Sequence, residues 1–141
     1  MSEPAARDAA YFEHDADVGI IGRGPTIEDA LVAAAEATFA IMVHPAAVRP
    51  RARISLAFDE SDPEYALVRW LNGLLAEARA GGLALARFRL ARSGEHWRGD
   101  AVGEPWRDGL TRGTEVKGAT LTGLAVEEIP GGWEARCVVD V

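Results

Sequence analysis

Apolar residues recur along this chain with two periods, two and roughly 3.6, and the switches between them predict the order of its elements. From Tyr11 to Gly24 the pattern is extended: Val18, Ile20 and Ile21 are apolar, while Gly19, Gly22 and Gly24 discourage helix. One strand or two short ones are expected there. The run GPTIEDALVAAAEATFAIMV then repeats Ile27, Leu31, Ala34, Ala35, Thr38 and Met42 at helical spacing. Thr26 is placed to cap that helix, with Asp29 three residues on, and Pro45 stops it soon after His44. Next, Ile54, Leu56 and Phe58 alternate with Arg53, Ser55 and Ala57, the period of a half-buried strand. The acidic turn DESDP follows, offering Asp62 as N-cap and Pro63 for the first position of a second helix. Leu67, Val68, Leu71, Leu74, Leu75 and Ala78 form its buried stripe, and Gly81-Gly82 ends it.

Beyond Gly82 the pattern is that of strands separated by turns. Phe88 and Leu90 alternate with Arg87 and Arg89; HWRGDAVGEPW, TEVKGATLTGLAVEEI and WEARCVVDV follow, the last two joined by a PGG hairpin turn. In the final strand Trp133, Ala135, Cys137, Val139 and Val141 share one face and Glu134, Arg136, Val138 and Asp140 the other. The expectation is a single α+β domain over residues 11–141, mainly antiparallel sheet with two helices, in the order strand, helix, strand, helix, then a run of antiparallel strands. Residues 1–10, Ala-rich and without periodicity, are read as a disordered leader.

Composition narrows the function. With 48% hydrophobic and 26% charged residues the chain has a soluble balance, and no apolar run approaches the roughly 20 residues of a membrane span. No basic region followed by an apolar one marks export at the N-terminus, so a cytoplasmic home is expected. The one cysteine, Cys137, has no disulfide partner and is read as a small core hydrophobe. A net charge of -7 opposes sequence-independent binding to phosphate backbones, so DNA is not expected as a partner and RNA only through another protein. Arg51, Arg53, Arg87 and Arg89 are read as solvated strand faces.

Three places hold candidate chemistry. In EHDADVG, alternate residues of an extended strand would put Glu13, Asp15 and Asp17 on one face and His14 on the other. Such carboxylates are either solvated or gathered around a hard cation such as calcium, magnesium or manganese. Near the other end, Asp140 interrupts an apolar run one residue before Val141, either in a frayed terminal strand or in one docked beside the first and sharing oxygens with it. Lys117, in EVKGAT, is either an ordinary surface lysine or a cation set near the acids. Templates for a zinc hydrolase, a nucleophile elbow and a phosphate loop do not fit, so the residues do not declare an enzyme.

Taken jointly, YFEHDADVGIIGRGPTIEDALVAAAEATFAIMV, LVRWLNGLLAEA, VGEPW, EVKGATLTGLAV and WEARCVVDV resemble the archease family from about Tyr11 to Val141. The resemblance implies an accessory protein, not a catalyst: an activator of the RtcB-type tRNA-splicing ligase that promotes ligase guanylylation and multiple turnover. A chaperone-like modulator of RNA-modifying proteins is the alternative the family offers. The resemblance also implies a divalent metal, calcium foremost with magnesium or manganese as substitutes, held by Asp17, Asp140 and Val141, and a functional lysine at Lys117. His14 and Asp15 belong to the same partner-facing segment. Asp15 stands where the family usually has threonine, and Gly118-Ala119 and Leu121-Thr122 replace the family's usual neighbours of the lysine.

Overall fold

The computed structural model describes residues 10–14 and 17–141, the side chains of 12–14 excepted. Asp15 therefore lies outside the described residues, as does all of the 1–10 leader except Ala10.

The first extended stretch is two strands. β1 (Tyr11–His14) and β2 (Asp17–Gly24) pair antiparallel, with His14 opposite Asp17. This corrects the single-strand geometry expected for EHDADVG: His14 and Asp17 are cross-strand partners instead of residues on opposite faces of one strand. α1 (Ile27–Ala40) starts where its cap predicts, the Thr26 hydroxyl accepting from the Asp29 amide at 3.1 Å. It ends two residues before Met42, and a 3-10 turn, Pro45–Ala47, follows. β3 (Ala52–Asp59) leads into α2 (Pro63–Gly81), capped by Asp62 at its start and by left-handed Gly82, φ 65°, at its end.

β4 (Leu83–Ser93) and β5 (His96–Pro105) complete a three-stranded antiparallel sheet in the order β3-β5-β4. A bulge between Leu85 and Arg87 shifts the phase of β4, so Leu85 and Phe88 are both buried while Arg87 and Arg89 are exposed. The strand expected over TEVKGATLTGLAVEEI is only partly formed. It yields β6 (Gly118–Ala119) and β7 (Ala125–Ile129), with irregular chain around and between them. β8 (Gly132–Asp140) pairs with β2 on one side and with β6 and β7 on the other, closing a second sheet in the order β1-β2-β8-β6.

The helices contact both sheets, and the core lies where they meet. Two glycines set the approach: a Cβ at Gly22 would collide with the backbone of Ala30 and Ala34 in α1, and one at Gly99 with the Trp70 ring of α2. Trp70 is wholly buried, and its indole N–H donates to the Leu31 carbonyl at 3.0 Å, tying the helices together. Phe39 of α1 meets Phe88 of β4 with ring centroids 5.1 Å apart. On the inner face of β8, Ala135, Cys137 and Val139 are fully buried, as the alternation predicts; Val138, on the other face, is buried too. Among the described residues no helix is long and apolar enough to cross a membrane.

Candidate functional site

Sheet register decides which of the predicted residues meet. Val18 and Val139 form the last pair of the β2–β8 ladder, and the next residue on each strand is an aspartate, Asp17 at the start of β2 and Asp140 at the end of β8. Cross-strand neighbours of this kind have Cβ atoms about 5 Å apart, so two carboxylates are set side by side at one end of the sheet. On the other flank of β8, Asp140 lies opposite Gly118, and the Lys117 amide donates to the Asp140 carbonyl at 2.7 Å. Asp17, Asp140, Val141 and Lys117 thus gather at one end of the five-stranded sheet. The backbone of His14 joins them as the partner of Asp17.

Electrostatics separates this end from the rest of the same sheet face. Two ladder steps or more away, charges are paired: Arg23 with Glu134 at 2.9 Å, Arg136 with Glu134 at 3.3 Å and with Glu127 at 3.6 Å. Asp17, Asp140 and Lys117 have no ion pair among the described residues. Asp140 and Lys117 are exposed and Asp17 half-buried, so these groups are open to a ligand. Among the described residues no three His, Cys, Asp or Glu side chains cluster as a metal site. The side chains of oxygen chemistry at this end are the Asp17 and Asp140 carboxylates, the ligand type that hard cations favour.

The irregular segment before β6 is held by α2, through residues that carry no signal of this role in the sequence. Asn72 makes a two-way amide contact with Ala119: its Oδ1 accepts from the Ala119 N–H at 2.8 Å and its Nδ2 donates to the Ala119 carbonyl at 3.2 Å. Arg79 donates to the Lys117 carbonyl at 3.2 Å. Past β6, Thr120 bonds the Val138 carbonyl through both its amide, at 3.0 Å, and its hydroxyl, at 2.8 Å. These contacts fix the backbone from the Lys117 carbonyl to Thr120, and each spans many residues of sequence. Asn72 and Arg79 stand on the exposed side of an otherwise apolar helix, a position which by itself marks only a solvated face.

Comparisons with known proteins agree with this architecture. Residues 10–141 match the model of the Archease protein family (MTH1598/TM1083). The protein archease of Pyrococcus furiosus is 31% identical over 96% of this chain and 99% of its own. The solution structure of Methanobacterium thermoautotrophicum protein 1598 superposes with a TM-score of 0.80 at 24% identity, covering 93% of this chain and 96% of that one. A crystal structure from Thermotoga maritima, described as an archease and possible chaperone, covers 100% of this chain and 98% of its own with a TM-score of 0.66 at 20% identity. Likeness to solved structures at these identities speaks for the fold alone.

Proposed function

Because the chain belongs to the archease family, we propose that it is a metal-binding activator of an RtcB-type RNA ligase, promoting ligase guanylylation and repeated turnover. The observation that carries this reading is the convergence, through strand register, of Asp17, Asp140 and Lys117 from three distant parts of the chain at one unpaired, solvent-open sheet end. Nothing in packing asks for two adjacent carboxylates there; left without a cation they repel.

A divalent metal held by Asp17, Asp140 and Val141 would supply positive charge at that end and an anchor for a phosphate or carboxylate of the partner's site. Calcium, magnesium and manganese all suit such oxygen donors. The chain's own residues do the rest. β2 and β8 hold the aspartates side by side, and Asn72 and Arg79 fix the backbone from which Lys117 extends its ammonium. An acidic tip with one cation beside it complements a cationic, nucleotide-binding cleft. The protein is thus read as an accessory factor without a reaction of its own.

The test is guanylylation of the ligase at limiting amounts of this protein. Asp17→Ala, Asp140→Ala and Lys117→Ala are each expected to return the rate to that of ligase alone while leaving the thermal unfolding midpoint near wild type. Full stimulation by all three would sink the reading. The chaperone-like alternative draws on the description of the Thermotoga maritima protein as a possible chaperone. It predicts suppressed aggregation of unrelated RNA-modifying proteins, insensitive to these substitutions.

A further inference from the structure

The arginines that the sequence scatters over three strands are collected by register onto the open face of the three-stranded sheet. Arg53 and Arg87 flank Val102, Arg89 lies beside Asp100, and Arg98 takes the next outward position of β5. All four arginines are exposed, and the helices occupy the opposite side of the sheet. Asp100 meets Arg89 only at 3.8 Å, while Arg53, Arg87 and Arg98 have no ion pair among the described residues. In a chain of net charge -7 this is a local excess of positive charge. Outward residues stand about 7 Å apart along a strand and about 10 Å apart across two strands, so four guanidiniums against the carboxylates of Asp100 and Asp59 leave the face net positive.

We propose that this face binds the phosphate backbone of single-stranded RNA directly, without reading its sequence. Arginine rather than lysine supplies every cation here, and its planar fork matches two oxygens of one phosphate. The floor between the arginines is low, built of Ser55, Ala57 and Ala91, which lets a strand lie flat on it. A protein partner would need an apolar or aromatic anchor at the centre of its interface, yet the exposed large apolar residues, Tyr11, Tyr65 and Leu121, all lie outside this sheet. Apart from the His96 imidazole at one edge, bonded to Asp59 at 2.9 Å, the face presents no exposed aromatic ring among the described residues, which leaves the backbone as the main contact. The choice of RNA over other nucleic acid rests on the ligase reading; the phosphate contact itself does not.

The experiment is fluorescence anisotropy of a labelled, mixed-sequence single-stranded RNA with the purified full chain and no ligase, over a salt series. Wild type is expected to bind with a Kd of about 10⁻⁴ to 10⁻⁶ M near physiological salt, and more tightly at low salt. The combined Arg53→Glu, Arg87→Glu, Arg98→Glu variant should bind at least about tenfold more weakly, its log–log salt slope shallower by about 0.7 for each phosphate it no longer neutralises. The corresponding triple lysine variant should keep the slope, and Arg112→Glu, off this face, should bind as wild type does. Absence of binding at low salt overturns the proposal, as does a triple glutamate variant with unchanged affinity and slope. Displacement of the RNA by polyglutamate at equal charge concentration would reassign the face to an acidic protein. Because the assay contains no ligase, its failure is separate from failure of the activator reading.

Discussion

Cys137 illustrates how far one residue type carries. Its neighbours alternate apolar along β8, and the thiol is fully buried on the inner face, where loss of solvent pushes its pKa up to about 12. The thiolate is the reactive form, so the native protein should resist a maleimide at neutral pH and take up one equivalent only after unfolding in guanidinium. Fast labelling of the folded chain would contradict the burial. Cys137→Ser should cost about 1–3 kcal/mol in chemical denaturation, because a more polar hydroxyl replaces a thiol fully buried in the apolar core. Asp17 and Asp140 are the contrasting case. Their chemistry was visible as residue type, but whether each sat in water or beside the other depended on a register that no local pattern records. The face arginines make the same point: Arg53, Arg87 and Arg89, read one strand at a time, were solvated positions, and only the ladder sets them side by side with Arg98.

Among elements, those governed by short-range rules were legible. Thr26, Asp62 and Gly82 all act within three or four residues of themselves, so their caps could be read directly. The stretch from Trp106 to Leu124 could not be read, because side chains far away in sequence hold it. Strand was expected through TEVKGATLTGLAVEEI, but only Gly118–Ala119 and Ala125–Ile129 pair with β8. Asn72 takes the place of a neighbouring strand for Ala119. Asn72→Ala should therefore lower stability by about 1 kcal/mol and raise amide hydrogen exchange locally at Ala119 and Thr120, leaving the β2 amides protected. Uniform protection across the variant would show that the asparagine contact carries no part of this segment's order.

At the scale of the whole molecule, one buried carboxylate ties peripheral chain to the sheet. Glu104, near the end of β5 and 2% exposed, accepts from the Arg107 guanidinium at 2.8 Å and from the Arg49 amide at 2.7 Å. It thereby closes the segments after α1 and after β5 over a small second cluster of Val43, Val48, Ala84, Ala86 and Leu110. The Arg107 hydrogen bond, then the Arg49 amide, hold its pKa below the ordinary 4.5. A carboxyl lowered on folding contributes stability that is present above its unfolded value and is lost as pH falls through the folded one. Glu60, lowered chiefly by its bond to Arg69, acts in the same sense, whereas Glu36, raised by partial burial, acts in the opposite one. The unfolding midpoint should thus fall as pH drops below 4.5, and Glu104→Gln should flatten that limb while lowering the plateau above it. An acid limb identical to wild type would remove Glu104 from this account.

Sequence by itself determined the two helices and their ends, the inward faces of most strands, the α+β class, and the residue types able to bind a cation or a partner. It could do so because caps, turns and periodicity are properties of neighbouring residues. Tertiary structure alone decided that there are two sheets, that the chain's first acidic segment meets its last, that α2 braces the Lys117 backbone, and that dispersed arginines form one face in an acidic protein. Those are outcomes of strand register and long-range packing, in which a shift of a single residue would turn Asp17, Asp140 and every outward arginine to the other side of its sheet.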